Sequence, residues 1–157
     1  MSQIASLLTA AHVALDVAAS DKKALFERVA SLLDATSGLN RAQIVDSLLA
    51  RERLGSTALG EGIAIPHGRV KGLREAVGGF LRLDPPLAFD SPDGRPVNLV
   101  FVLLVPDRAT DLHLQILSEL AQMFSDRQLR SKLAAAPDPL SAQRLIASWE
   151  AHAPNAD

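Results

Sequence analysis

The sequence predicts a single-domain α/β sandwich, a small mixed β-sheet flanked by α-helices. Three observations lead to it. Pro96–Pro106 (PVNLVFVLLVP) is an unbroken β-branched and aliphatic run between prolines, the pattern of a central strand buried on both faces. Apolar residues recur at helical spacing in segments before and after that run. Helices on either side of a few strands imply layers packed around one core.

From the N-terminus, Ile4–Leu8 reads as a short apolar helical turn and Val13–Val17 as a strand. Ser20 or Asp21 can cap a helix carrying Leu25, Phe26, Val29, Leu32 and Leu33 on one face, and Gly38 supplies its stop. Asn40 caps a second helix with the stripe Ile44, Leu48 and Leu49. Arg51 and Arg53 fall in its last turn, with Gly55 just beyond. Ile63–Ile65 is a short strand, and Ala76–Leu83 another that is weakened by two glycines. Turn residues at Ser91–Gly94 (SPDG) connect the latter to the central strand. One tight connection among longer ones makes the sheet mixed.

Thr110 or Asp111 caps a helix running to about Ser125. His113, Leu117, Leu120 and Phe124 share the face expected to look toward the sheet, opposite a polar stripe of Gln115, Ser118, Glu119 and Gln122. Shorter helices follow at Gln128–Ala135 and Ala142–Glu150, divided by the breaker Pro137-Asp138-Pro139. One domain over residues 1–152 and a loose tail over 153–157 are expected.

Bulk properties narrow the function. The 157 residues suffice for one substantial core, and 48% apolar with 22% charged residues is ordinary for a soluble globular chain. With no cysteine, disulfides and thiolate metal sites are excluded. The first residues lack the basic start and long apolar core of a signal peptide. The longest apolar run, Leu99–Pro106, is far short of the roughly 20 residues of a membrane helix. A net charge of −2 gives no broad attraction to nucleic acid or anionic lipid. A cytoplasmic protein with no membrane insertion is expected.

The stretch with chemical content is Arg51–Arg69 (RERLGSTALGEGIAIPHGR). It sets His67 between Pro66, which fixes the incoming backbone, and Gly68, which permits close approach of another molecule to the ring. A neutral imidazole is a competent nucleophile near neutral pH. Arg51, Ser56 and Thr57, upstream, can donate hydrogen bonds to a phosphate, and the arginine fork matches phosphate oxygens. Each of these residues also has a plain reading. His67 can be a surface histidine in a glycine-rich turn. His113, in the first turn of its helix, stands where a phosphate is favoured, but equally suits a core histidine bonded to a backbone carbonyl. Arg51 favours its helix dipole whatever else it does. Arg53 and Arg69 read as solvated, and His12 and His152 as incidental.

Other chemistries are poorly supported. No HExxH, Walker-type or nucleophile-elbow pattern occurs, and Gly60–Gly62 lacks the third glycine of a dinucleotide fingerprint because Ile65 stands there. His67, His113 and Asp111 offer no local pair with metal-ligand spacing, so no metal is expected.

Gly55–Gly68 (GSTALGEGIAIPHG) resembles the phosphorylation motif of the mannitol/fructose-type enzyme IIA family of the bacterial phosphotransferase system, most closely its nitrogen-regulatory branch. Leu83–Pro106 and His113–Phe124 fit the same family, and the resemblance extends over roughly residues 1–150. It implies a mixed sheet flanked by helices and a phosphohistidine carrier. His67 resembles the phospho-accepting histidine, reacting at Nε2. His113 resembles the assisting histidine, and Arg51 the arginine beside them. Ser56, Thr57 and Gly68 fall on the motif as candidates for phosphate binding. The implied donor is an HPr-type phosphocarrier, the nitrogen paralogue, and no cofactor, ATP or metal is needed. The branch further implies regulation of partners such as potassium transporters or sensor kinases. The alternative is a sugar-specific, fructose- or mannitol-type enzyme IIA passing phosphate to a separate IIB protein.

Overall fold

A computed structural model of the chain describes residues 3–108 and 110–149. The tail at 153–157 and His152 lie outside the described residues, whereas Thr110 and Asp111, expected as a helix cap, are instead the first residues of that helix. After two 3-10 turns at Gln3–Ser6 and Ala10–His12, the chain forms β1 (Val13–Val17), α1 (Lys22–Ser37) and α2 (Arg41–Glu52). Then come β2 (Ala58–Gly60), β3 (Ile63–Ala64), β4 (His67–Val70), β5 (Val77–Leu87) and β6 (Val97–Pro106). Three helices finish the fold: α3 (Thr110–Phe124), α4 (Arg127–Ala135) and α5 (Pro139–Ala147).

The sheet is mixed, with β1 parallel to β5, β5 antiparallel to β6, and β2 antiparallel to β3. The central strand β6 carries two short strands in parallel along its other edge. β3 pairs at Leu99 and Val100, and β4 follows at Leu103–Pro106. From Leu99 onward β6 alternates between two cores: Val100, Val102 and Leu104 meet α1 and α2, while Leu99, Phe101, Leu103 and Val105 meet the opposite layer. Burial on both faces is why the run contains no polar alternation.

Local chemistry explains the helix ends. Asp21 accepts from Ala24 N at 2.8 Å to start α1, and Gly38 ends it at φ 75° in the left-handed region. Asn40 and Gln43 cap α2 reciprocally. The last helix begins at Pro139 rather than Ala142, because Asp138 caps it through Ser141 N at 2.7 Å and proline fits a first helical position. The breaker is thus partly an initiator. Arg82 of β5 donates to the carbonyls of Leu133, Ala134 and Ala136, satisfying the open end of α4. Strand β5 also runs beyond the expected Leu83 to Leu87, which pairs with Val97. Strands β2 and β4 have no clear sequence signature, being three and four residues long and glycine-containing. Among the described residues no helix is long and apolar enough to cross a membrane.

Candidate functional site

His67 is not in a loose turn: it opens β4, opposite Leu103 of β6. The segment before it is pinned on both sides, since Leu103 N donates to the Pro66 carbonyl and Ile65 N to the Thr57 carbonyl, each at 3.0 Å. The ring is fixed in turn by the Ile65 carbonyl, 2.9 Å from Nδ1. A carbonyl only accepts, so the proton of the neutral imidazole sits on Nδ1 and Nε2 keeps its lone pair.

His113 reaches the same place from the first turn of α3. The two rings stand edge to face, with centroids 5.2 Å apart and planes at 84°. His113 is 7% exposed, and its Nδ1 is buried with no hydrogen-bond partner among the described residues. The expected backbone carbonyl for a core histidine is therefore not found there. Burial holds the pKa of both rings below the ordinary histidine value. For His67 the Ile65 carbonyl opposes that shift, with smaller effects from Arg51 downward and Glu52 upward. For His113 the positive potential of His67, Arg69 and Arg51 adds to burial. Both histidines are neutral near pH 7, which is the nucleophilic form.

An open cavity of about 460 Å³ lies against the pair, lined among others by Ser47, Arg51, Leu54 and Arg69. Arg51 is held at the end of α2 by donating from Nη1 to the Gly55 carbonyl at 2.8 Å. Arg69 reaches the cavity because it lies two residues beyond His67 on a strand, and alternation returns it to the same face. Sequence reasoning left Arg69 solvated since β4 was not foreseen. It is exposed, yet its charge acts on His113.

Other candidates take different places. The Ser56 hydroxyl donates to the Phe89 carbonyl. The Thr57 hydroxyl donates to Glu52 Oε1 at 2.7 Å. Both protons are thus used within the chain, although both residues line a second cavity of about 190 Å³ that Arg51 and His67 also line. Gly68 has a reason other than the approach of a second molecule. A Cβ there would stand 2.7 Å from Ser47 Oγ and 3.0 Å from the Ser47 carbonyl carbon, so the glycine lets α2 lie against β4. Glu52 was missed altogether. Its signal was a carboxylate at a helix C-terminus, where the dipole disfavours one.

Residues 6–149 match the family model described as "Phosphoenolpyruvate-dependent sugar phosphotransferase system, EIIA 2". The "Nitrogen regulatory protein" of Pseudomonas aeruginosa is 41% identical over 138 residues, covering 87% of this chain and 90% of that protein. That of Escherichia coli is 36% identical, covering 94% and 91%. The crystal structure of nitrogen regulatory protein IIA-Ntr from Neisseria meningitidis superposes with a TM-score of 0.87 at 44% identity, covering 92% of this chain and 99% of that one. The mannitol IIA crystal structure from Escherichia coli has the same fold, with a TM-score of 0.75 at 22% identity over 88% of this chain and 98% of that one. A fructose-specific EIIABC component of Bacillus subtilis is 31% identical over 85% of this chain, which corresponds to 21% of that larger protein. Family model, relatives and fold agree, and the chain belongs to the EIIA 2 family of the phosphoenolpyruvate-dependent sugar phosphotransferase system, of which it is a phosphotransferase component.

Proposed function

We propose that the protein is a regulatory phosphohistidine carrier that accepts a phosphoryl group on His67 Nε2. The observation that carries this reading is the tautomer lock: the Ile65 carbonyl engages Nδ1, and burial keeps the ring neutral, so Nε2 presents a lone pair beside an arginine-rimmed cavity. The lone pair attacks the phosphorus of a donor phosphohistidine in line. A new N–P bond forms as the donor's N–P bond breaks, and the donor imidazole keeps that electron pair. The donor ring, protonated on its other nitrogen, leaves as neutral imidazole, and His67 keeps its own Nδ1 proton hydrogen-bonded to the Ile65 carbonyl, so the step needs no base.

His113 assists. An unpartnered buried nitrogen is less costly as a lone pair than as an N–H, which places its proton on Nε2, free to donate to a phosphoryl oxygen. Arg51 and Arg69 compensate the charge of about −2 that the phosphoryl group brings. The donor is an HPr-type phosphocarrier, the nitrogen paralogue, and the compartment is the cytoplasm. Leu54, 84% exposed at the cavity rim, and Leu114, 66% exposed and next to His113, offer an apolar margin for a protein partner. Phosphorylation changes the charge of the surface that partners touch, and regulation of targets such as a potassium transporter or sensor kinase follows from that switch.

A second reading, a sugar-specific IIA passing phosphate to a separate IIB protein, is favoured by the likeness to the fructose-specific component. Incubation with phosphoenolpyruvate, enzyme I and either an ordinary HPr or its nitrogen paralogue tests both. An acid-labile phosphoryl adduct is expected by intact mass in the wild type and not in His67→Ala. An adduct that persists in His67→Ala excludes this acceptor, and rapid turnover through a IIB protein selects the second reading.

A further inference from the structure

Glu52 ends α2, where a negative charge opposes the helix dipole, and its side chain is only 5% exposed. A buried carboxylate in that position needs compensation, and it has it. Lys22 Nζ stands 2.8 Å from Oε2 and 4.8 Å from the centroid of the Phe89 ring. Both carboxylate oxygens then hold one residue: Thr57 N donates to Oε2 at 3.1 Å and Thr57 Oγ1 to Oε1 at 2.7 Å. From Thr57 the path continues without a gap. Its carbonyl accepts from Ile65 N at 3.0 Å, closing the base of the β2–β3 hairpin, and the Ile65 carbonyl accepts from His67 Nδ1 at 2.9 Å.

We propose that Glu52 is a positioning residue for the acceptor: it clamps Thr57, Thr57 holds Ile65, and Ile65 fixes the tautomer and direction of the His67 ring. Thr57 thereby belongs to the support of the histidine rather than to the shell of the phosphate. The other holds on this segment, the pairing of β3 with β6 and the Pro66 carbonyl on Leu103 N, do not take up the Ile65 N–H, which Thr57 alone engages among the hydrogen bonds of the described residues. Loss of the clamp lets the Ile65 carbonyl turn away, whereupon Nδ1 and Nε2 compete for the single ring proton. The proposal rests on His67 as the phosphoryl acceptor.

The test uses full-length protein labelled with ¹⁵N-histidine, in which long-range ¹H–¹⁵N correlations report the tautomer at neutral pH. The wild type should show the proton on Nδ1 alone. Glu52→Ala should show a mixture containing the Nε2–H form, and transfer from a saturating phosphorylated HPr-type donor should slow about tenfold with the donor KM unchanged. Glu52→Gln, which keeps one carboxamide oxygen for Thr57 N and Lys22, should recover most of both. If Glu52→Ala does not fold, Thr57→Val carries the test, because it removes only the hydroxyl link. A detectable Nε2–H form and about threefold slower transfer are then expected. Folded variants with the wild-type tautomer and rate overturn the proposal, even if they melt earlier. The NMR readout needs no phosphorylation, so a wild type that accepts no phosphate anywhere would sink the carrier reading without touching the tautomer result.

Discussion

His67 and His12 begin alike and end differently. Each brings Nδ1 to a main-chain carbonyl, Ile65 at 2.9 Å and Gly78 at 3.1 Å. Around His12 the chain closes: the residue is 6% exposed, at the end of a 3-10 turn against β5. Around His67 it opens, onto a cavity shared with a second histidine and two arginines. A histidine bonded to a carbonyl is an oriented ring and no more. Reactivity requires that the second nitrogen face a space where positive charge is already arranged, because an approaching phosphoryl group brings about two negative charges.

The contrast can be broken at its strongest point by His113→Ala. Transfer to His67 should slow about 100-fold, as expected for loss of one donor to a developing charge. The unfolding free energy should hardly move, since the ring removed carries an unpartnered buried nitrogen. Rapid-quench kinetics with a phosphorylated donor reads the first quantity and urea unfolding the second. An unchanged rate would make His113 a second His12.

His12→Ala should show the opposite signature. The Gly78 carbonyl loses its partner and a cavity opens in the core, a loss of about 2 kcal/mol in urea unfolding, while transfer to His67 keeps its rate. Slowed transfer in a folded His12→Ala protein would mean that the two regions are coupled.

The smallest effect sharpens the electrostatic half of the comparison. His67 and His113 both have pKa values lowered on folding. Under acid the unfolded chain therefore takes up these protons first. Stability is retained above the unfolded value of about 6.5 and falls as pH drops from there toward the folded values. Urea midpoints across that window should decline with acidification in the wild type. The decline should be shallower in His67→Ala/His113→Ala, and an identical slope would show that neither ring carries the shift.

Much of this molecule was legible along the chain. The caps Asp21 and Asn40, the stop at Gly38 and the doubly buried run of β6 follow from local rules, and each stands where those rules put it. His67 was marked by its neighbours. The misses share a cause, which is that the information lay across the fold. Strand β4 is four residues long and exists because β6 offers it an edge, so neither the strand nor the return of Arg69 to the cavity could be read locally. Gly68 suggested an open approach, whereas its lack of a side chain admits Ser47 from α2.

By itself, the sequence determined the secondary structure that short-range periodicity and capping control and the two-sided core, and it singled out His67 as the candidate acceptor through its motif. Only the tertiary structure decided which nitrogen of His67 is bare, that His113 lacks a partner, and that Glu52 meets Thr57. The reason is physical. Spacing within one element sets which faces are apolar, but a tautomer and a pKa depend on atoms a few ångströms away in space, and those atoms arrive from α2, β3 and α3 together.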